Sequence, residues 1–493
     1  MPDYAFSPSK NLATPSAIEE VDLLVLGSGE AGKFLAWTFA RKGWKVAVIE
    51  RRWIGGSCPN IACLPSKNVI HSAKVASFFR RGPEYGLPDD TVTVDMSAVR
   101  GRKRTMVRGL VQMHESNYAS SGAELICGEG RFVAPKTIEV TMADGSSRRL
   151  RGSHVVIGTG TTAMIDSTPG LRSAQPLTHI EVLELDAVPR ELLILGGGFV
   201  GLEFAQAMQR LGSIVTLIDR NDRLLHNEDP DVSTELGKIL TDEGVQVVLS
   251  ARVCEIFGKS GERVRISCQK SSVEGAIEGT HLLVAAGRSP NTHGIGLEEN
   301  AGVQIDDKGY ILVDNQLRTS AAGVFAVGEC NGGQQFTHVA FDDYRVVRDT
   351  LNGIQRTTSG RVIPFCLFTD PEFARIGLTE NEATRQRLHY KLFRIPMTRN
   401  LRARTLSETK GFMKALVSVE DDRILGFACL GAGAGEMLAP VQIAMKAGWP
   451  YTALNDVIFA HPTLSEGLIN LFSSEAQLVQ GAAVAAPGMV DMR

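Results

Sequence analysis

A glycine-rich pattern that occurs twice constrains the fold of this 493-residue chain most strongly. In its first copy, an apolar run at residues 21–26 leads into Gly-Ser-Gly-Glu-Ala-Gly (27–32) and a helical stretch at residues 33–42. A second apolar run at residues 45–49 then ends on Glu50. This order of strand, tight turn, helix, strand and acid is typical of a dinucleotide-binding βαβ unit.

The residues of this first copy have separate predicted roles. Gly27 and Gly29 allow the backbone to turn tightly and to approach a pyrophosphate, and Gly32 allows helix and strand to pack closely. The phosphates then lie at the helix N-terminus, where free N–H groups and the helix dipole favour an anion. Glu50 lies 23 residues after Gly27, where its carboxylate would accept hydrogen bonds from a ribose hydroxyl.

The same pattern is repeated near the middle of the chain. An apolar run at residues 191–195 leads into Gly-Gly-Gly-Phe-Val-Gly (196–201), a helical stretch at 202–211 and an apolar run at 214–218. The acid that follows is again 23 residues after the first glycine. Two copies are a much stronger signal than one, and they predict two dinucleotide sites. The predicted contacts of the second site are Gly196, Gly198, Gly201 and Asp219.

Two cysteines, Cys58 and Cys63, stand five residues apart in Gly-Gly-Ser-Cys-Pro-Asn-Ile-Ala-Cys-Leu-Pro-Ser-Lys (55–67). This stretch resembles the redox-active disulfide of the pyridine nucleotide–disulfide oxidoreductases, the flavoprotein family of dihydrolipoamide dehydrogenase, glutathione reductase and mercuric reductase. The other six cysteines are scattered, and no second Cys or His pair stands at metal-ligand spacing. We therefore interpret them as buried small hydrophobic residues and predict no metal site.

Further motifs similar to those of the family follow in the family's order, so that the resemblance spans residues 21–471. They are Gly-Arg-Ser-Pro-Asn (287–291), Val-Phe-Ala-Val-Gly-Glu (324–329) and Ala-His-Pro-Thr-Leu-Ser-Glu (460–466), the last close to its dihydrolipoamide dehydrogenase form. The cofactor contacts that the resemblance adds are Gly56, Ser57, Lys67, Gly130, Thr159, Gly160, Gly287, Arg288, Gly328 and Glu329.

The resemblance implies an α/β fold with two Rossmann-like dinucleotide-binding domains, for FAD and NAD(P), and a C-terminal α+β dimerisation domain. The first unit adjoins the cysteine pair, so it is the implied FAD site. We expect residues 1–20 to be a disordered tail. The other predicted bounds are 21–160 and 287–360 for the two parts of the FAD-binding domain, 161–286 for the NAD(P)-binding domain and 361–493 for the interface domain.

The resemblance also implies roles for the two sulfurs and for a base. Cys63 is implied as the flavin-facing, charge-transfer thiol, and Cys58 as the outer thiol that attacks the substrate. Thiol exchange requires a thiolate, so a base must take and return a proton. His461 is the candidate because its unperturbed pKa lies near neutrality, and Glu466 would orient its imidazole. In the family this histidine reaches the partner subunit's disulfide, which implies a homodimer.

Lys67 and Glu203 form a second implied pair. Family members have a lysine four residues after the second cysteine, near flavin N5, and it pairs with the glutamate that follows the nucleotide glycines. A cation there would stabilise the reduced, anionic flavin. The alternative is an ion pair that only joins two domains.

The chain departs from the family pattern at four positions. Pro59 and Ala62 stand between the cysteines, where the family usually has leucine and glycine. Gly158 replaces an alanine before the Thr-Gly pair, and Glu329 replaces an aspartate that holds a ribityl hydroxyl. We expect Glu329 to keep that role, and we interpret the chain as a divergent member whose disulfide geometry differs from the usual one.

The function implied is FAD-dependent, NAD(P)H-linked reduction of a small disulfide, reversible as in dihydrolipoamide dehydrogenase. Alternatives are a metal-ion or quinone reductase of the mercuric-reductase-like branch, a flavoprotein subunit of a multienzyme complex, and a redox sensor with a regulatory disulfide. Mercuric reductases tend to end in a cysteine pair, and residues 485–493 contain no cysteine.

The preference between NAD and NADP is open on the sequence, although NAD is favoured. Asp219 would bond a free 2′-hydroxyl and repel a 2′-phosphate, whereas Arg220 and Arg223 stand close enough to hold one.

Charge and composition exclude other classes. The formal net charge of −3 gives no support to nucleic-acid binding, and no run of about 18 apolar residues indicates a membrane span. The first twenty residues resemble neither a secretory signal nor a transit peptide, so we expect a cytoplasmic protein.

Overall fold

The structure, a computed structural model, describes residues 17–88, 93–270 and 273–481. The elements of its first part are β1 (Ile18–Leu26), α1 (Glu30–Ala40), β2 (Val46–Glu50), α2 (Ser57–Asn60), α3 (Cys63–Arg80), α4 (Met96–Ser121), β3 (Glu124–Cys127), β4 (Glu129–Ala134), β5 (Thr137–Thr141), β6 (Ser147–Ile157) and β7 (Thr161–Ala163). The sheet order is β3-β2-β1-β6-β5-β4, parallel from β3 to β6 and antiparallel beyond it.

The predicted strand, turn, helix and strand are confirmed as β1, the glycine turn, α1 and β2. Leu23, Leu24 and Val25 of β1 are fully buried, as expected for a parallel strand that is covered on both faces. Strand β3 joins the parallel sheet beside β2, whereas β4, β5 and β6 pair in antiparallel order.

The predicted tail of residues 1–20 is wrong for its last three residues, while residues 1–16 lie outside the described part. Strand β1 begins at Ile18 because residues 18–20 pair with residues 149–151 of β6. Arg148 strengthens this start with an ion pair of 2.8 Å to Glu19.

The second glycine pattern also folds as predicted. The elements are β8 (Glu191–Leu195), α5 (Phe199–Leu211), β9 (Ile214–Ile218), α6 (Pro230–Asp242), β10 (Gln246–Val248), β11 (Ala251–Lys259), β12 (Arg263–Lys270), β13 (Val273–Gly279), β14 (His281–Val284) and β15 (Arg288–Pro290). Strands β10-β9-β8-β14 form a parallel sheet, and β11-β12-β13 form an antiparallel one.

The chain then returns to the first sheet. Strand β15 pairs with β7 in a two-stranded ribbon that connects the two units. The next elements are β16 (Val324–Ala326) and α7 (Thr337–Leu351). Strand β16 pairs in parallel with β6, and α7 packs against α1. The first unit is therefore built from two separate stretches of sequence.

The C-terminal part contains one antiparallel sheet with helices packed on it. Its elements are β17 (Phe365–Leu367), β18 (Glu372–Gly377), α8 (Glu380–Arg385), β19 (Tyr390–Pro396), α9 (Leu401–Thr405), β20 (Phe412–Ser418), β21 (Ile424–Gly431), α10 (Ala434–Ala447), α11 (Thr452–Asn455), α12 (Gly467–Phe472) and β22 (Gln477–Val479). The sheet order is β17-β18-β21-β20-β19-β22. Across the described ranges, no helix has the length and apolar character needed to cross a membrane.

Candidate active site

A cavity of about 530 Å³ lies where β1, β2, β6 and β16 end, at the carboxyl edge of the first sheet. It is also lined by part of the segment that carries the two cysteines, residues 55–63, which we call the redox loop, and by the first turn of α7. Lys67, Gly287 and Arg288, which were also predicted to contact a cofactor, do not line it. The predicted contacts that do line it are Gly27, Gly29, Gly32, Glu50, Gly56, Ser57, Gly130, Thr159, Gly160, Gly328 and Glu329.

Two glycines of this cavity occupy places that no other residue fits. Gly27 has φ +101°, and a Cβ there would lie 2.3 Å from the Gly158 carbonyl oxygen. Gly56 has φ +81°, and its Cβ would lie 2.6 Å from the Gly29 Cα. Both positions require glycine because the backbone is left-handed and closely approached. The glycine turn and the redox loop therefore touch.

The Glu50 carboxylate organises this contact. It accepts hydrogen bonds from the backbone N–H groups of Ser28, Arg52 and Trp53 at 2.8–2.9 Å, and from the Ser28 hydroxyl at 2.8 Å. The Ser28 hydroxyl oxygen in turn accepts a hydrogen bond from the Gly55 N–H at 2.9 Å. Glu50 thus holds both loops in place at the cavity wall.

Cys58 lines this cavity, and Cys63 lies next to it at the start of α3; both are thiols. A hydrogen bond from the Cys58 thiol lowers the pKa of Cys63, with further help from the Thr337 hydroxyl at 3.3 Å and from Lys67. The same hydrogen bond, together with burial, raises the pKa of Cys58. The site therefore favours ionisation of Cys63 over ionisation of Cys58.

Two of the departures, Pro59 and Gly158, fit the local backbone. Pro59 lies in the first turn of α2, where its missing N–H has no helical partner to lose. A Cβ on Gly158 would meet Val327 at 3.4 Å and the carbonyl oxygens of Gly27 and Leu26 at 3.8 Å, so an alanine would also fit there. Ala62, directly before α3, has φ −130° and ψ −103°, a combination outside the main allowed regions.

Lys67 and Glu203 meet as predicted, with Nζ and Oε2 2.8 Å apart. Lys67 is one helical turn after Cys63 on α3, and Glu203 lies on α5 of the second unit. The Glu203 side chain is 7% exposed, and its other oxygen accepts the Phe368 N–H at 3.0 Å. The Phe368 ring lies 4.8 Å from Lys67 Nζ. Helix α3, helix α5 and the segment around Phe368 therefore together hold the Lys67–Glu203 ion pair near the Cys63 sulfur.

Arg288 lies behind Glu329, one of the residues that line the cavity. From β15 it donates to the Thr161 hydroxyl at 2.6 Å and the Thr161 carbonyl at 3.0 Å, and it pairs with Glu329 at 3.2 Å. The Thr161 hydroxyl also donates to Glu329. Arg288 thus positions the glutamate, although it does not line the cavity itself.

The second glycine turn carries its acid in the predicted place. The carboxylate of Asp219, directly after β9, accepts a hydrogen bond from the backbone N–H of Gly197. It also accepts hydrogen bonds from Asn221, from the backbone N–H at 2.7 Å and from the side-chain Nδ2 at 2.8 Å. Arg220 is exposed, and Arg223 donates to the His226 carbonyl at 2.8 Å. Arg223 therefore contacts a backbone carbonyl and not the carboxylate of Asp219.

His461 and Glu466 also pair as predicted, with Nδ1 3.0 Å from both carboxylate oxygens. The His461 side chain is 62% exposed, and it does not line the cavity that contains Cys58. Within one chain the structure brings together the two cysteines, Lys67 and Glu203 but not this pair.

Asp229, Asp231 and Glu380 form a carboxylate group with metal-like spacing. The Nζ of Lys414 lies 2.8, 2.9 and 2.7 Å from their oxygens and is 1% exposed. The ammonium group of Lys414 therefore occupies the position that a metal ion would take between these carboxylates.

The sequence model of the pyridine nucleotide-disulphide oxidoreductases matches residues 21–343, and the model of their dimerisation domain matches residues 363–471. This chain belongs to that family. The probable pyridine nucleotide-disulfide oxidoreductase RclA of Escherichia coli is 33% identical over 91% of this chain and 98% of its own length. The mitochondrial dihydrolipoyl dehydrogenase of Dictyostelium discoideum is 30% identical over 91% of this chain and 93% of its own length. The mercuric reductase of Staphylococcus aureus is 30% identical over 94% of this chain and 83% of its own length.

Solved structures agree with this membership. The HOCl-induced flavoprotein disulfide reductase RclA matches with a TM-score of 0.83 at 33% identity, over 92% of this chain and 99% of that one. Its Cu(II) complex matches with a TM-score of 0.85 at 32% identity over the same shares. The predicted family, fold class and FAD and NAD(P)H cofactors are confirmed. The chain is a flavoprotein disulfide oxidoreductase with a C-terminal dimerisation domain.

The cavity suits FAD on its own geometry. The glycine turn and the N-terminus of α1 line it, where a pyrophosphate can accept backbone hydrogen bonds, and the carboxylates of Glu50 and Glu329 line it as well. Sequence reasoning missed Thr161, Thr337 and Phe368, which contact Glu329, Cys63 and the Lys67–Glu203 pair. None of the three residues lies in a motif quoted from the sequence, so no pattern pointed to these contacts.

Proposed function

We propose that this protein uses NADH to reduce a small disulfide substrate through Cys58 and Cys63. Bound FAD supplies two-electron transfer between the nicotinamide and the cysteine pair. The observation that carries the proposal is the asymmetry of the two thiols. Cys58 lines the cavity, whereas Cys63 begins α3 with the Thr337 hydroxyl 3.3 Å from its sulfur, and the pKa of Cys63 is lowered while that of Cys58 is raised. A retained thiolate and a proton-bearing partner are what a dithiol–disulfide exchange site needs.

The exchange then runs in two balanced steps. Cys58 loses its proton to a base and attacks one substrate sulfur, which forms a mixed disulfide and expels a thiolate that takes the proton back from the base. The Cys63 thiolate attacks the Cys58 sulfur, which restores the internal disulfide and expels the second substrate sulfur as a thiolate that takes its proton from solvent. The two electrons that break the substrate S–S bond come from the cysteine pair.

The base in this scheme is His461 of the partner subunit. His461 is exposed and oriented through Nδ1 by Glu466, so its other ring nitrogen is left for an outside thiol. The dimerisation domain that carries it supports a shared site. A homodimer would then be required for activity.

Lys67 acts as an electrostatic group in the proposed site. Its charge lies one helical turn from Cys63 and stabilises negative charge on the sulfur and on the neighbouring reduced cofactor. Glu203, held by the Phe368 N–H, fixes the position of the ammonium group.

The nicotinamide nucleotide is NAD(H) in this proposal. Asp219 is fixed by Gly197 and Asn221 where a ribose 2′-hydroxyl would donate to it. A 2′-phosphate would meet this carboxylate, and Arg223 is engaged by the His226 carbonyl. Initial rates with NADH and NADPH test this choice, and a clear preference for NADPH would overturn it.

The domain assignment follows the sheets. We assign residues 21–160 and 287–360 to FAD binding, 161–286 to NAD(H) binding and 361–493 to the interface between subunits. Strand β16, which returns to the first sheet, and the β7–β15 ribbon support these bounds. We place the protein in the cytoplasm, where a reduced dithiol is maintained.

The experiment is a substrate screen that begins with lipoamide. NADH oxidation is followed with lipoamide and other small disulfides, using the wild-type protein and the Cys58→Ser and His461→Gln variants. We expect turnover that Cys58→Ser abolishes and that His461→Gln lowers roughly a hundredfold or more. Turnover of every disulfide at the wild-type rate in Cys58→Ser would contradict the proposal.

A second candidate function is reduction of Cu(II). The observation that favours it is the structural match to RclA in its Cu(II) complex, together with the thiol pair of this chain. One NADH would reduce two Cu(II) ions to Cu(I). Anaerobic Cu(I) formation with NADH, lost in Cys58→Ser while the lipoamide screen is negative, would select this function.

A further inference from the structure

The Thr337 hydroxyl oxygen lies 3.3 Å from the Cys63 sulfur. The two residues are 274 positions apart in the sequence, and each is the first residue of a helix, α7 and α3. Two positive helix ends therefore meet at one sulfur, which favours negative charge on it.

This hydroxyl is not used to cap its own helix. The N-cap of α7 is Phe336, and it makes no side-chain capping hydrogen bond. The Thr337 hydroxyl contacts the Cys63 sulfur, and a hydrogen bond from Thr337 also lowers the pKa of the neighbouring Cys58 thiol. The hydroxyl is thus available to donate to the sulfur.

The neighbours of Thr337 fix its position. The His338 Nε2 lies 2.7 Å from the Pro364 carbonyl oxygen. The Phe336 ring stacks on the Phe365 ring, with centroids 6.0 Å apart and planes at 3°. Contacts on both sides therefore hold the hydroxyl against the sulfur.

We propose that Thr337 donates its hydroxyl hydrogen to the Cys63 thiolate and so stabilises this sulfur as the resting anion of the dithiol state. The inference rests on the proposed function, since it deepens the role of Cys63 there. Thr337 forms no covalent bond and gains or loses no proton overall. When the disulfide forms, the sulfur becomes neutral and the hydroxyl loses its charged acceptor.

The charged groups around Cys63 act with and against this hydrogen bond. Cys58 donates to the sulfur, and Lys67 adds a positive charge from the same helix. Burial and the Glu329 carboxylate oppose ionisation. The Thr337 hydroxyl therefore joins Cys58 and Lys67 in stabilising the Cys63 thiolate, whereas burial and Glu329 favour the neutral thiol.

The test uses the FAD-loaded protein with Cys58→Ser in every sample, so that Cys63 titrates alone and no internal disulfide forms. Thr337→Val removes the hydroxyl and keeps the shape, and Thr337→Ser restores a hydroxyl. One readout is the long-wavelength absorbance between thiolate and flavin as a function of pH. The second is the pH dependence of Cys63 alkylation by iodoacetamide, measured on its peptide by mass spectrometry.

We expect Thr337→Val to raise the pKa of Cys63 by about one pH unit, a tenfold change in acid dissociation, and Thr337→Ser to restore most of it. An unchanged alkylation profile in Thr337→Val overturns the inference. Absence of the long-wavelength absorbance at every pH with Thr337 intact contradicts the proposed function instead, and the alkylation profile still decides the role of Thr337.

Discussion

Lys67 and Lys414 both pair with carboxylates from another part of the chain, but their surroundings differ. Lys414 is 1% exposed and is surrounded by three carboxylates, of which Asp229 is itself 4% exposed. Lys67 is 30% exposed and pairs with Glu203 alone, beside the redox cysteines.

The difference separates a structural cation from one that acts on its neighbours. Lys414 donates hydrogen bonds to three carboxylates at 2.7–2.9 Å, and these bonds join β20 to the starts of α6 and α8. Lys67 pairs with a single carboxylate, and its charge also helps to lower the pKa of the Cys63 sulfur. Two lysines with similar ion-pair distances therefore have different predicted effects.

The largest expected effect belongs to Lys414→Met. This change leaves Asp229 buried without its counter-charge, so the free energy of unfolding should fall by about 3–5 kcal/mol. Urea unfolding at neutral pH, followed by tryptophan fluorescence, measures it. Lys391→Met is the matched control, because Lys391 forms an exposed pair with Asp422 and its loss should cost less than about 1 kcal/mol. Equal losses in the two variants would contradict the comparison.

The cost of Lys414→Met should depend on pH in a defined direction. Burial opposes ionisation of Asp229, yet the hydrogen bond from Lys414 holds its pKa below the ordinary value. A lowered carboxyl pKa contributes stability above the unfolded value, about 4, and loses it as the pH falls through the folded value. The difference between wild type and variant should therefore shrink below about pH 4, and a constant difference would argue against the ion pair as its source.

The next effect belongs to Lys67→Met. Loss of this charge should slow NADH-driven disulfide reduction roughly ten- to hundredfold. It should also raise the pKa of Cys63, while stability falls less than in Lys414→Met because the pair is more exposed. Steady-state rates and the alkylation profile of Cys63 measure the two changes. Unchanged turnover would mean that the Lys67–Glu203 pair only joins two parts of the chain.

The smallest effect belongs to Phe368→Leu. The variant keeps the backbone N–H that holds Glu203 and removes only the ring 4.8 Å from Lys67 Nζ. A cation–π contact of about 0.5–1 kcal/mol corresponds to a change in turnover of about two- to fivefold. A loss as large as that of Lys67→Met would show that the ring shapes the site and does not only contact the cation.

The sequence predicted the parts of the molecule that follow from local patterns. The glycine turns, their strands and acids, and the pairing of Lys67 with Glu203 lie in motifs that the family shares. The contact of Thr337 with Cys63, 274 positions away, and that of Lys414 with Asp229, 185 positions away, were not predicted, because Thr337 and Lys414 belong to no motif and contact side chains that are distant in the sequence. The start of β1 at Ile18 was missed for a related reason, since polar residues 19 and 20 gain their strand structure by pairing with β6.

The most direct test of the account is an anaerobic titration of the yellow protein with NADH. We predict that two equivalents are needed for full reduction, one for the flavin and one for the disulfide, and that a long-wavelength absorbance appears after the first. The absorbance should be lost in Cys63→Ser. Bleaching of the flavin by one equivalent, without this absorbance, would show that Cys58 and Cys63 are not coupled to the cofactor and would contradict the proposed function.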